Sequence, residues 1–182
     1  MTGVSPAYFI SRYTDRFTPA DVSEGLVEIA ELGFPHFQLE VFHAENLDDW
    51  VNGGGRLVRE RSADLGLHPS QFVAHFMLHA FSNMSDVMSD EAFSDMDSVL
   101  EIVERFEDCS LITIPLGPFD TQQKLRPEDY KSLFNRCVEK IGILLERVEG
   151  AGRRLSLEIM PSAVIGGIDG FMRLCEHIGR DS

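Results

Sequence analysis

Two hydrophobic periods take turns along this chain. Short apolar or alternating runs at His36 to Phe42, Ser70 to Phe76, Leu111 to Leu116 and residues 153 to 162 predict strands, and Tyr8 to Tyr13 reads the same way. Between them the spacing becomes helical. Val22, Leu26, Ile29 and Ala30 form one face, as do Phe93, Met96, Leu100, Val103 and Phe106. A longer stripe joins Leu133, Phe134, Cys137, Val138, Ile141, Leu144, Leu145 and Val148, and a last helix from Asp169 turns Phe171, Met172 and Cys175 inward. The punctuation agrees with this division. Thr18-Pro19-Ala20-Asp21 offers an N-cap, a proline at the first helical position and an early acid, while Gly33, Gly66 and Gly179 mark helix ends. The segment between His43 and Gly66 is less regular, with a helix after Gly53-Gly54-Gly55, and SNMSDVMSD reads as a long loop.

Five βα units in succession imply a parallel sheet covered by helices, with residues 1–182 forming a single domain. An open doubly wound sheet and a (β/α)8 TIM barrel halted after about five units both satisfy the pattern. The open sheet usually binds its ligand through a glycine-rich first turn, and SRYTDRFTPAD contains no glycine. Strand parity adds a chemical clue. Leu155, Leu157 and Ile159 share one face, leaving Ser156, Glu158 and Met160 on the other; Phe37, Leu39 and Val41 likewise oppose Gln38, Glu40 and Phe42. Both strands thus place a glutamate near the carboxyl end of the second face, where parallel α/β proteins build their sites.

Composition narrows the partners. The 182 residues are 43% hydrophobic, enough for a sizeable core, and no apolar run reaches the length of a membrane span. Without a basic leader at the N-terminus, the expectation is a cytoplasmic protein that meets no membrane. Cys109, Cys137 and Cys175 are widely spaced at apolar positions or a helix end and read as reduced core residues. A net charge of −14 with no substantial Lys/Arg cluster repels phosphate backbones, so nucleic acid is not an expected partner. A small neutral sugar, or an anion held by a metal, fits better.

Several side chains are candidates for chemistry. Glu158 is a carboxylate inside an otherwise apolar strand, a placement that reads equally as a metal ligand or general base and as a glutamate pointing into solvent from a half-exposed strand. His75 and His79 have the spacing of a helical zinc pair, but Phe76 stands where the glutamate of HExxH belongs, and that motif fails. Phe42 and Trp50 are candidates to stack on a sugar ring, set against packing, the commoner role of a lone aromatic at a loop. The triple glycine lacks the Lys-Ser/Thr of a phosphate loop and is a turn.

The segments GFPHFQLEVFH and HPSQFVAHF, and above all LSLEIMPS followed by GGIDGFMRLCEHIG, resemble the xylose-isomerase-like barrel superfamily, which holds sugar and sugar-phosphate isomerases and epimerases and the endonuclease IV group. The resemblance implies that Glu158, at the end of strand five, binds a divalent metal and serves as acid/base in proton transfer through an enediolate. It implies that His75 and His79 line the substrate pocket and that Glu40 orients a pocket group. Such a shell suits Mg or Mn, or Co or Zn where histidine joins. The family's other ligands, an Asp, a His and a Glu, lie on strands six to eight, and HIGRDS resembles the lead-in to the first of these. The expectation is therefore the N-terminal portion of a barrel, inactive by itself and prone to form a homo-oligomer through its open edges. The rivals are a non-catalytic open-sheet or barrel-completing protein and, less favoured, an endonuclease IV-like repair enzyme, whose histidine after strand four is absent from TIPLGPF.

Overall fold

A computed structural model describes residues 2–120 and 126–179. The chain runs β1 (Gly3–Val4), α1 (Ala7–Tyr13), α2 (Pro19–Glu31), β2 (His36–Val41), a 3-10 turn (Ala44–Asn46), α3 (Leu47–Asp49), a π-helical turn (Trp50–Gly54) and α4 (Gly55–Asp64). It continues with β3 (His68–Ala74), a 3-10 helix (His75–Phe81), α5 (Met84–Met88), α6 (Glu91–Glu104), β4 (Leu111–Leu116), α7 (Pro127–Gly150), β5 (Arg154–Ile159) and α8 (Gly167–Ile178).

The five strands form one parallel sheet in the order β1-β2-β3-β4-β5. A doubly wound sheet reverses its order at a switch point, whereas each barrel strand pairs with its sequence neighbour. Spatial order equal to chain order therefore selects five-eighths of a (β/α)8 TIM barrel. Helices cover one face. Phe37, Leu39, Phe72, Ile112 and Ile114 point into that layer and meet Leu26, Ile29, Val58, Met96, Ile102 and Leu144, all essentially without solvent exposure.

Local signals explain why the helices begin where they do. Asp21 N–H donates to Thr18 Oγ1 at 3.3 Å and Thr18 N–H donates to Asp21 Oδ2 at 2.7 Å, closing a capping box on α2 with Pro19 at its first turn. The triple glycine carries the chain from the π-helical turn into α4. Gly53 takes φ 142°, and a Cβ on Gly54 would lie 2.4 Å from Pro19 Cγ, so α2 rests directly on that backbone.

Three expectations change. Tyr8 to Tyr13 is helix rather than strand, and the first strand is the two-residue β1. Tyr8 donates to Glu28 Oε2 at 2.6 Å and Arg12 lies 3.8 Å from the same oxygen; one turn of helix brings i and i+4 to a single partner, which alternation in a strand cannot do. The loop after Phe81 contains α5, capped by Asn83 accepting from Asp86 N–H at 3.0 Å. Strand β5 is half-exposed rather than buried, because it is the outermost strand of the sheet. The tail Arg180-Asp181-Ser182, part of the HIGRDS lead-in, lies outside the described residues.

Candidate functional site

The face of the sheet opposite the helix layer lines a cleft of about 630 Å³, within the range of small-molecule sites. Its floor is built by strand parity. Gln38, Glu40 and Phe42 come from β2 and its end, Gln71, Val73 and His75 from β3 and its end, Thr113 from β4, and Ser156 and Glu158 from β5. The β2–β3 register shifts between Phe37 and Gln38, where Ser70 drops out of the pairing and its hydroxyl donates to Phe37 O at 3.2 Å. Beyond the bulge Gln38 faces Gln71, so both amides enter the cleft in phase. Pro69, with no N–H to donate, sits just before it.

This floor is polar in a sheet that is otherwise apolar. Thr113 donates its hydroxyl to Gln71 Oε1 at 3.0 Å, so the N–H pair is what that amide has left to offer. Glu40 is 5% exposed and its Oε2 has no hydrogen-bond partner among the described residues. Burial, with the nearby Glu158 carboxylate as the smaller cause, pushes Glu40 up to about 7, so near neutrality it carries a proton part of the time. Glu158, by contrast, is exposed at the cleft wall. His75 stacks on Phe42 with ring centroids 4.0 Å apart and planes within 11°, and burial in that stack lowers its pKa below the ordinary histidine value.

The structure brings Glu40, Phe42, His75 and Glu158 to one cleft and leaves two of the sequence candidates elsewhere. Trp50 is fully buried in the core, in the turn that packs on α2 and α6, where no sugar reaches it. His79 hydrogen-bonds Phe76 O at 2.6 Å through Nδ1 and sets Nε2 3.5 Å from Asp95. In an α-helix residues i and i+4 share a face; in the tighter 3-10 turn of His75–Phe81 they diverge by roughly 120°. The sequence reading also passed over Gln71 and Thr113. Their signal was available: each is a polar residue on the same parity as Glu40 or Glu158 within a run of apolar neighbours.

Among the described residues no group of three or more His, Cys, Asp or Glu is gathered to hold a metal ion. Glu158 and His75 share the cleft without forming such a group, so the described residues by themselves do not fit a divalent cation. All three cysteines are free, and no described helix is long and apolar enough to cross a membrane.

No family model and no curated relative matches the sequence. Solved structures do match, at the level of fold. D-psicose 3-epimerase from Clostridium cellulolyticum H10 superposes with a TM-score of 0.67 and 14% identity over 98% of this chain and 60% of its own. An L-ribulose 3-epimerase gives 0.67 and 17% over 98% and 57%, and a xylose isomerase-like TIM barrel protein from Mycobacterium smegmatis, in complex with magnesium, gives 0.60 and 18% over 92% and 56%. The chain spans little more than half the length of these proteins. With five parallel strands laid down in chain order and a polar cleft at their carboxyl ends, its fold is that of the N-terminal portion of a xylose-isomerase-like TIM barrel.

Proposed function

We propose that this chain contributes the first five βα units of a divalent-metal-dependent isomerase or epimerase acting on a sugar or a related hydroxy-carbonyl compound. The observation that carries the reading is the pair of glutamates on one cleft face, Glu158 exposed and Glu40 buried, above a floor of amides and hydroxyls suited to a polyhydroxy ligand. In this reading Glu158 takes a proton from the carbon next to the carbonyl, leaving an enediolate, and returns it to complete the isomerisation. Glu40 in its protonated form donates a hydrogen bond to a ligand oxygen, and the Phe42–His75 stack forms an apolar wall for the sugar ring. A divalent metal would draw Glu158 as one ligand and its remaining ligands from outside the described residues. The epimerase names of the matching folds support the substrate class, and the three free cysteines support a reducing, cytoplasmic setting.

The test is Glu158→Gln in an assembled, active barrel, where turnover of a ketohexose should fall by about 10²-fold or more with the fold intact by circular dichroism. Near-normal kcat would remove Glu158 from the chemistry. The 182-residue chain titrated with Mn should bind no tighter than roughly millimolar, since its described residues gather no ligand group; micromolar affinity would reveal a site assembled some other way.

A further inference from the structure

The connection from β3 to α6 carries His75 of the cleft at one end and is gripped from the helix layer at the other. His75 opens the 3-10 helix of His75–Phe81, and α5 follows after Ser82 and Asn83. Seven residues exceed the usual run of about three or four for a 3-10 helix, whose own hydrogen bonds are poor, so its placement depends on what holds it from outside. Lys140 of α7 is that holder. Its side chain has no solvent exposure, and Nζ reaches between the two short helices, donating to Ala80 O at 3.3 Å and to Asp86 O at 2.7 Å. Nζ also lies 5.7 Å from the centre of the Phe81 ring. An ammonium removed from water must find acceptors. Here they are backbone carbonyls of two elements, so the position of the amine dictates where that backbone lies. Two contacts from the end of β4 complete the seat: Leu78 covers Gly117, where a Cβ would lie 2.5 Å from Leu78 Cγ, and Asp120 N–H donates to Ser82 O at 2.7 Å.

We propose that Lys140 is a positioning residue for the cleft: by fixing Ala80 and Asp86 it holds the loop that keeps His75 flat against Phe42, and so sets the wall that a ligand meets. Neither Lys140 nor its partners line the cleft, so the effect is transmitted through the 3-10 helix. Removing the amine turns Ala80 O toward water, which loosens the turn between the two short helices and, through the 3-10 helix, the ring stack at its start. The contacts lie between β3 and β5, with described strands on both sides, and do not depend on what adjoins either edge of the sheet. The inference goes beyond the isomerase reading and holds whatever the cleft binds.

Lys140→Met in the 182-residue chain tests this, because it keeps the unbranched stem and removes every donor. Exchanging a buried charge for an apolar side chain of similar volume often leaves global stability little changed, so the variant should keep the wild-type circular dichroism spectrum. The loop should respond on its own. Ser82 N–H, bonded to His79 O at 3.1 Å, and Val87 N–H, bonded to Asn83 O at 3.0 Å, should exchange with deuterium about tenfold faster or more, while the amides of α2 keep their rates. Nuclear Overhauser contacts between the rings of Phe42 and His75, whose centroids lie 4.0 Å apart, should weaken in the same variant. Exchange that quickens equally in α2 and in the loop assigns Lys140 to general stability and overturns the proposal. So does an unchanged Phe42–His75 contact, or a loop that exchanges at the wild-type rate. If Lys140→Met does not fold, Lys140→Gln, which returns N–H donors on a shorter stem, is measured in the same way; loss of the whole fold in both variants also overturns the proposal, since a residue that acts on one loop does not hold up the domain.

Discussion

Glu40→Gln should make this fold more stable in alkaline solution and change it little in acid. Glu40 is 5% exposed, has no partner for Oε2 among the described residues, and is raised from an ordinary 4.5 to about 7. Below pH 4.5 the carboxyl is protonated in both the folded and the unfolded chain and contributes nothing to the pH dependence. Between 4.5 and 7 the unfolded chain releases its proton while the folded one still holds it, so stability falls as pH rises. Above 7 the folded chain bears the full cost. Each pH unit of that interval corresponds to 1.36 kcal/mol, so the loss is on the order of 3 kcal/mol, a large part of the net stability of a domain. Glutamine keeps the shape and cannot ionise. Urea unfolding of both proteins at pH 4.5 and pH 8.5 is the assay, because other titrating groups contribute equally to each and cancel in the difference. The variant should gain about 3 kcal/mol on the wild type between the two pH values. Parallel pH dependences would show that Glu40 is not held in the buried, unpartnered position from which the argument starts. Glu158→Gln supplies a second check: it should lower the Glu40 midpoint only in part, since burial is the larger cause.

Trp50→Ala should cost about 3–5 kcal/mol in denaturant unfolding, since it empties a fully buried site, and should leave the His75 NMR signals unmoved. Gly54→Ala forces a Cβ to within 2.5 Å of two Pro19 carbons and 2.7 Å of Asp49 O; about 1–3 kcal/mol should be lost, and an unchanged Tm would place α2 farther from that turn. Phe42→Ala removes the ring stacked on His75, so the imidazole gains solvent and its NMR titration midpoint should rise toward the ordinary 6.5; a fall or no movement would refute burial as the cause of the depression.

What the sequence by itself determined is what depends on neighbours along the chain. Strands β2 to β5 are legible because apolar side chains must alternate or cluster where a strand is covered, and α2 is legible because Thr18, Pro19 and Asp21 satisfy the helix start locally. Parity alone assigned Glu40 and Glu158 to one face, since successive residues of any strand point to opposite sides. Tertiary structure decided the rest. AYFISRY has the aromatic content of a strand, and its helical state shows only in the tertiary structure, where Phe9 is buried in the core and Tyr8 and Arg12 both reach Glu28 on α2. Strand order, which separates a barrel segment from a doubly wound sheet, is a relation between distant segments and leaves no local trace. The same holds for Trp50, drawn into the core by packing on α2 and α6, and for His79, turned toward Asp95 by a 3-10 rather than an α-helical turn. The raised Glu40 belongs to this second group as well: its pKa comes from water removed by the fold and from a carboxylate more than a hundred residues away, quantities that exist only once the sheet has formed.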